Sequence, residues 1–187
     1  MIVLPPGPFD LILADPPWSF RAYSAKGHGK SAVRHYPVMT EAELAALPVA
    51  SIAAADSVLV MWTTWSQLAS GLPLRIIEGW GFRASSGGAW AKTTREGLPA
   101  FGTGYVLRDA SEPFLVARRG KLPPGLSRAE RNLILSPRRE HSRKPAEMHA
   151  MLERLLPDAR RVELFAREPR PGWTVWGNET QKFSAAE

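Results

Sequence analysis

The stretch LILADPPWSF at residues 11–20 decides how the chain begins to fold, because it joins an apolar run directly to an acid, two prolines and a tryptophan. A short continuous apolar run of this kind is typical of a strand that is buried on both faces. Pro16 ends the strand, since proline has no backbone N–H to donate to a sheet. The sequence therefore predicts a buried strand whose carboxyl end carries an acid, Asp15.

Strand and helix patterns alternate along the rest of the chain. Further buried strands are predicted at residues 57–64, 84–92, 112–120 and 160–167, the last being the final strand. Helices are predicted at residues 41–49 behind a capping box of Thr40 and Glu43, at 66–82 with an interruption, and at 145–156. This alternation predicts an α/β fold with a largely parallel sheet. Residues 21–36 and 120–143 are predicted to be loops that form the site.

Composition limits the class of protein. With 187 residues, of which 44% are hydrophobic, we expect a single domain over residues 1–187. No apolar run approaches the roughly 20 residues that span a bilayer, and no secretory signal pattern is present, so we expect a cytoplasmic protein without membrane attachment. Cysteine is absent, and the four histidines do not form a close ligand cluster, so no metal site is expected.

Two nucleotide-binding motifs can be set aside. GHGKS at residues 27–31 ends like a phosphate-binding loop, but Ser24 stands where that motif needs its first glycine and no buried strand precedes it. No G-x-G-x-x-G lies between a predicted strand and helix, so a nicotinamide dinucleotide site has no support.

Positive charge is concentrated in one segment. The chain has a net charge of +6, and residues 118–144 contain nine basic and two acidic residues. Such a segment is typical of a track for nucleic-acid phosphates, with Arg138 and Arg139 as candidate contacts. A solvated basic surface is the other interpretation.

The residues DPPW at positions 15–18 suit the activation of an exocyclic amine on a nucleobase. Such an amine is a poor nucleophile because its lone pair is delocalised into the ring. The Asp15 carboxylate and the Pro16 carbonyl can each accept one N–H, which localises the lone pair, while Pro17 stiffens the turn. Trp18 offers a flat face on which an extruded base can stack, a contact worth about 1–3 kcal/mol. The alternative is a Pro-Pro turn with an aspartate cap and a core tryptophan.

Ordered matches along nearly the whole chain resemble the DPPW-type N6-adenine methyltransferases, the family of the messenger-RNA adenosine methyltransferase catalytic subunit and its bacterial and phage relatives. The matches are ADPPW at 14–18, YPVMTEAEL at 36–44, VLVMWTT at 58–64, WAKT at 90–93, GTGYVLRDASEPFLVARRG at 102–120, HSRKPAEMHAMLERLLPDARRVELFAR at 141–167 and GWTVWGNE at 172–179. The resemblance implies a Rossmann-like, S-adenosylmethionine-dependent methyltransferase fold in permuted order, with the DPPW strand before the cofactor strand.

The resemblance also implies roles for individual residues. The catalytic residues are Asp15, Pro16, Pro17 and Trp18. The cofactor, S-adenosylmethionine, is expected to contact Asp15, Lys144, Glu163, Phe165, Arg167, Asn178 and Glu179, although glutamine is commoner than glutamate at the last position. The target base is expected to contact Tyr36 and Glu112. A departure is the run Glu168, Pro169 and Arg170, which replaces a polar pair that reaches the cofactor in the family.

These observations predict an enzyme that transfers a methyl group to N6 of adenine in nucleic acid, with the target base flipped out of its stack. DNA is expected rather than RNA, because the chain reads as a compact catalytic domain with a basic loop and no RNA-binding module. Three alternatives stay open: methylation of RNA adenine at N6, methylation of DNA cytosine at N4, or a non-catalytic nucleic-acid-binding subunit of a methyltransferase complex. The sequence does not determine the oligomeric state.

Overall fold

The structure, a computed structural model, describes residues 2–18, 38–102, 106–140 and 143–183. Within these ranges the chain forms seven strands and four α-helices. The strands are β1 (Phe9–Ala14), β2 (Ala53–Trp62), β3 (Arg83–Thr93), β4 (Ser111–Arg119), β5 (Leu133–Pro137), β6 (Arg161–Leu164) and β7 (Trp173–Trp176). The helices are α1 (Glu41–Ala45), α2 (Trp65–Ala69), α3 (Leu72–Gly79) and α4 (Ala146–Leu155). No helix in these ranges is long and apolar enough to cross a bilayer.

The strands form one sheet in the order β5-β3-β4-β2-β1-β6-β7. Each neighbouring pair is parallel except the two pairs that β4 makes, with β2 and with β3. The predicted α/β fold with a largely parallel sheet is therefore confirmed. We call the edge where β1, β2, β3, β5, β6 and β7 end, and where β4 begins, the upper edge. Asp15 directly follows β1 and so lies at this edge.

Alternation along β1 places its side chains in two apolar layers, as expected for a strand buried on both faces. Ile12 and Ala14 pack in the layer that contains Ile76 and Trp80 of the α3 region. Leu11 and Leu13 pack in the layer that contains Met148 and Leu152 of α4. This interior strand is thereby fixed from both sides, and the acid that follows it is held next to a rigid element.

Local signals in the sequence placed several helix ends correctly. Thr40 and Glu43 form the predicted capping box, in which the Glu43 N–H donates to Thr40 Oγ1 at 3.2 Å and the Thr40 N–H donates to Glu43 Oε2 at 2.8 Å. The predicted interruption falls at Gly71, whose φ of 72° requires the left-handed region that glycine adopts at little cost.

Two strands were not predicted. β5 lies inside the basic segment, where only three apolar residues at positions 133–135 separate polar neighbours. β7 follows β6, so residues 160–167 do not hold the final strand. Both strands are short, and each is held by hydrogen bonds to a neighbouring strand, β3 for β5 and β6 for β7. A local sequence pattern does not predict such pairing.

The basic segment does not form a single track. Because β4 runs against the sheet, it ends at Arg119 on the edge opposite the upper edge, and β5 begins on that same edge. Lys121 and Arg128 therefore lie at the opposite edge, whereas Arg138 and Arg139 follow β5 at the upper edge. The phosphate track that the sequence suggested over residues 118–144 is therefore divided between two opposite edges of the sheet.

Candidate active site

The loop after β1 is held by backbone hydrogen bonds on three sides. The Asp15 N–H donates to Leu164 O at 3.3 Å, and the Trp18 N–H donates to Pro16 O at 2.8 Å. The Met39 N–H donates to Pro17 O at 3.0 Å. Since β6 and the segment before α1 both pin the loop, the Asp15 side chain is presented from a fixed backbone.

Trp18 does not lie where a stacked base could use its face. Its side chain belongs to the apolar layer on the α3 side and the residue is only 4% exposed. Its indole N–H donates to Trp62 O at 3.3 Å. The expected stacking role is therefore corrected: the ring anchors the loop in the core, which is the alternative that the sequence left open. A Pro-Pro turn followed by a core tryptophan has the same local sequence as a turn that presents a stacking surface, so only tertiary packing distinguishes them.

Five charged side chains form a continuous row beside this loop, which we call the charge chain. Lys144 Nζ lies 3.0 Å from Asp15 Oδ2 and 2.9 Å from Glu112 Oε1. Lys92 Nζ lies 3.0 Å from Glu112 Oε2, and Arg167 Nη2 lies 3.8 Å from Asp15 Oδ2. Positive and negative groups alternate along the row, and each carboxylate is balanced by two cations.

The charge chain fixes the ionisation of its central members. Burial alone lowers the pKa of Lys144, but attraction to Asp15 and Glu112 and hydrogen bonds with both outweigh it and raise that pKa above its usual value. Burial likewise tends to raise the pKa of Glu112, but attraction to Lys144 and Lys92 outweighs it, and that pKa is lowered. Lys144 is thus a permanent cation at neutral pH and cannot accept a proton from a substrate.

A cleft of about 460 Å³ opens at the upper edge beside Asp15. Its size is within the range usual for small-molecule sites. The cleft is lined by Ile2, Val3, Asp15, Pro17, Val38, Met39, Glu43, Phe165, Ala166, Arg167, Trp176, Gly177, Asn178 and Glu179. The structure therefore brings together Asp15, Phe165, Arg167, Asn178 and Glu179 from the set predicted to contact a cofactor.

The turn after β6 has an uncommon backbone at the wall of the cleft. Phe165 adopts a φ of 64°, which is unusual for a residue other than glycine, asparagine or aspartate. Its ring meets that of Trp176 edge to face at 5.5 Å, and the Ala166 N–H donates to Trp176 O at 3.0 Å. A Cβ at Gly177 would come within 2.9 Å of Ala166 O, so only glycine leaves room for this turn. Left-handed conformations of this kind are concentrated at ligand sites.

Not every predicted residue reaches the cleft. Glu163 lies on β6 with its Oε2 2.8 Å from His149 Nε2 of α4, and it is not among the lining residues. On β6 its side chain faces α4, whereas the cleft is lined by residues that follow the end of β6. Lys144 lies behind Asp15 and does not line the cleft either. Tyr36 lies outside the described residues, as does the loop over residues 21–36.

The two arginines expected to contact a polymer differ. Arg139 Nη1 lies 3.9 Å from Glu168 Oε1 and also donates to Lys144 O at 3.4 Å. Arg143 pairs with the same acid, with Nη2 2.6 Å from Glu168 Oε2. Arg138 is exposed at the end of β5. Glu168, which departs from the family pattern, therefore neutralises charge that the sequence assigned to a polymer, and Arg138 is the better candidate contact.

No role was predicted for Lys92 from the sequence, although WAKT was one of the matching segments. Its neighbour Glu112 could be singled out, but the pairing of β3 with β4 that brings the two together is a long-range contact. No group of three or more histidine, cysteine, aspartate or glutamate side chains able to hold a metal ion occurs within the described ranges.

Comparisons with known proteins place the chain in a family. A family model described as MT-A70 matches residues 9–179. The chain is 33% identical over 178 residues to an N(6)-adenosine-methyltransferase MT-A70-like of Arabidopsis thaliana, covering 92% of this chain and 24% of that protein. It is 32% identical over 193 residues to the Type II methyltransferase M.MunI of Mycoplasma sp, covering 94% of this chain and 79% of that protein.

A fungal relative widens the comparison. The chain is 32% identical over 186 residues to the N6-methyladenosine RNA methyltransferase MTA1 of Cryphonectria parasitica, covering 96% of this chain and 54% of that protein. The chain thus spans about a quarter of the plant relative, about half of the fungal relative and most of the bacterial one.

Proposed function

Because the chain belongs to the MT-A70 family of adenine N6-methyltransferases, we propose that it transfers a methyl group from S-adenosylmethionine to N6 of adenine in a polynucleotide. The observation that carries the proposal is the position of Asp15, which lines the cleft and is joined to Lys144 at 3.0 Å. The site therefore combines space for a small molecule with a fixed carboxylate that can accept an amine N–H.

We further propose that residues 1–187 form one methyltransferase domain in permuted Rossmann-like order. Two features of the sheet support this. The strand that leads into DPPW, β1, lies beside β6, which comes later in the chain and leads into the Phe165 turn. The antiparallel strand β4 lies between β2 and β3. The cofactor strand would then be β6.

The residues around the cleft fit S-adenosylmethionine. Phe165, Trp176 and Met39 offer the apolar surface that an adenine ring requires, and Asn178 and Glu179 offer polar groups for ribose hydroxyls or ring nitrogens. Asp15 and Arg167 provide the opposite charges that an amino-acid end carries. When bound, the cofactor supplies an activated methyl group on a sulfonium centre.

Two groups of the chain can accept the N–H groups of the target amine. Both cations approach Oδ2 of Asp15, which leaves the Oδ1 side to accept one N–H of the target amine. Pro16 O already accepts the Trp18 N–H, but a carbonyl has two lone pairs and can accept the other amine N–H as well. These two acceptors localise the nitrogen lone pair and orient it. The nitrogen becomes acidic only after methylation, so Asp15 does not have to be a strong base.

DNA remains the polymer that we propose, and RNA adenine, DNA cytosine or a non-catalytic binding role are outcomes of the same test. Purified protein and the cofactor with a radiolabelled methyl group are incubated with DNA and RNA oligonucleotides of matched sequence, each single-stranded and double-stranded. Label in DNA that digestion recovers as N6-methyladenine supports the proposal, and label recovered as N4-methylcytosine moves the acceptor to cytosine. Label in RNA alone moves the substrate to RNA. Absence of label in every polymer would contradict the proposed activity and favour a binding subunit.

Charge reversal at Arg138 tests the polymer contact. Arg138→Glu is expected to weaken DNA binding and to lower the slope of log affinity against log salt by about one, because one phosphate contact is lost. Arg128→Glu is the matched control, since Arg128 is also exposed but follows β4 at the opposite edge. Fluorescence anisotropy over a range of salt measures both variants. Equal losses in the two would mean that Arg138 acts only through net charge.

Gly177 tests the wall of the cleft. Gly177→Ala is expected to weaken cofactor binding by about tenfold, because the new Cβ must displace the turn that presents Phe165 and Arg167. Gly172→Ala is the control: nothing lies within 4 Å of the added Cβ there, although its φ of 77° also disfavours alanine. Isothermal titration calorimetry gives both affinities. A control variant that loses as much affinity as Gly177→Ala would assign the effect to backbone strain near β7 instead.

A further inference from the structure

We propose that Lys92 is a positioning residue for this reaction, which holds Glu112 and, through Glu112, holds Lys144 against Asp15. This inference rests on the proposed function. Lys92 is absent from the residues to which either the resemblance or the charge pattern gave a role.

The contacts of Glu112 carry the inference. Its two carboxylate oxygens are engaged by different ammonium groups, Oε1 by Lys144 at 2.9 Å and Oε2 by Lys92 at 3.0 Å. The side chains are 16% exposed for Glu112 and Lys144 and 26% exposed for Lys92. A carboxylate held at both oxygens cannot rotate without breaking a charge-assisted hydrogen bond. Its orientation toward Lys144 is therefore fixed.

Lys92 itself is well placed to serve as the anchor. Its N–H donates to Ala110 O at 2.9 Å, and its carbonyl accepts the Ala100 N–H at 2.8 Å, so its backbone is held on both sides. Its ammonium lies 4.9 Å from the ring centre of Trp90, a buried residue on the same face of β3. Such a cation over an aromatic face is stabilised by the ring quadrupole.

Loss of Lys92 would redistribute the remaining charges. With only one cation left, the Glu112 carboxylate is free to turn both oxygens toward Lys144 and to draw its ammonium away from Asp15. Asp15 would then lose the partner that orients its carboxylate toward the amine. Misplacement of a reacting group by about 1 Å can reduce a rate by about a hundredfold, so the effect should appear in kcat.

The pH dependence follows from the groups that face Glu112. These are Lys92 from β3 and Lys144 from the segment before α4, with Asp15 after β1 and Arg167 after β6 on the far side of Lys144. Burial favours the neutral carboxyl, and the two lysines keep its pKa below the usual value. Removing Lys92 leaves the burial and only one lysine, so that pKa must rise. The acid limb of activity should therefore move to higher pH.

The experiment compares Lys92→Met with Lys92→Arg, and with Lys121→Met as the control from the opposite edge. For Lys92→Met we expect kcat to fall about tenfold or more, KM for the polymer and the cofactor Kd to stay within about twofold, and the acid limb to rise by about one pH unit. Lys92→Arg keeps the positive charge and should restore most of kcat and the wild-type pH profile. Lys121→Met should behave as the wild type.

A second readout is independent of activity. The Glu112 carboxyl carbon is followed by 13C NMR during a pH titration, with the resonance assigned by its absence in Glu112→Gln. In the wild type it should titrate below the usual range for glutamate, and in Lys92→Met at higher pH. Titration in the wild type at or above the usual range overturns the proposal even if Lys92→Met does not fold.

The two proposals fail in different ways. Unchanged kcat and an unchanged acid limb in Lys92→Met, in a wild-type protein that methylates nucleic acid, overturn the positioning role and leave the function intact. A wild-type protein without methyl transfer overturns the function, and the NMR titration then still decides whether Lys92 controls Glu112.

Discussion

Asp15→Asn is expected to reduce methyl transfer at saturating cofactor by about a hundredfold or more, and to weaken cofactor binding by a smaller factor, about tenfold or less. Asparagine keeps the shape of the side chain but has no negative charge, and only one of its two polar atoms accepts a hydrogen bond. It can no longer both pair with Lys144 and accept the amine N–H in the fixed geometry that the loop provides. Loss of a positioned group of this kind typically costs a factor of about 10² to 10⁴.

The measurement separates chemistry from binding. Single-turnover transfer of a labelled methyl group gives the rate, and calorimetry gives the cofactor Kd. Asp158→Asn is the control, because Asp158 is an exposed acid in the turn after α4, away from the upper edge. An Asp15→Asn variant that transfers methyl groups at the wild-type rate would remove Asp15 from the mechanism.

Lys144→Met is expected to have the second large effect, on stability as well as activity. The change leaves two largely buried carboxylates, Asp15 and Glu112, without the cation that lies between them. Breaking a buried ion pair from one side typically costs about 3–5 kcal/mol of unfolding free energy. Methyl transfer should be lost together with the arrangement of Asp15.

The loss of unfolding free energy in Lys144→Met should be larger at neutral pH than at acidic pH. The raised pKa of Lys144 means that its contribution is fully present below the usual lysine value and is lost only as pH rises through the higher folded value. The lowered pKa of Glu112 means that its contribution is present above the usual glutamate value and is lost as pH falls through the lower folded value. Without Lys144, Glu112 should protonate at higher pH, so the stability deficit should be largest near pH 7 and smaller near pH 5.

Urea unfolding of wild type and variant at both pH values measures this deficit. Lys121→Met is the control and should change stability by no more than about 0.5 kcal/mol, because its side chain is exposed at the opposite edge. A Lys144→Met variant with the same small deficit at pH 7 and pH 5 would show that Lys144 does not hold the two carboxylates.

The parts of the fold that the sequence predicted depend on neighbours close in the chain. The end of β1 just before Asp15, the capping box at Thr40 and the break at Gly71 each follow from a few adjacent residues. The cleft-lining residues Phe165, Arg167 and Asn178 were predicted instead from the family resemblance. Their local sequence does not distinguish ligand-binding residues from ordinary core and surface residues.

The parts that the sequence missed depend on long-range register. Glu112 pairs with Trp90 across β3 and β4, and Lys92 lies two residues further along the same face of β3, diagonal to Glu112. No pattern within either segment predicts the contact between Lys92 and Glu112. Trp18 is a similar case. Whether its ring packs in the core or offers a stacking surface depends on residues distant in sequence, and not on the sequence around it.

The nucleoside that the enzyme modifies tests the central claim most directly. Unmethylated DNA is treated with the wild-type protein and S-adenosylmethionine, digested to nucleosides and analysed by mass spectrometry, with Asp15→Asn treated in parallel. The site predicts N6-methyladenine from the wild type and little or none from the variant. N4-methylcytosine as the product, or N6-methyladenine formed equally by the variant, would contradict it.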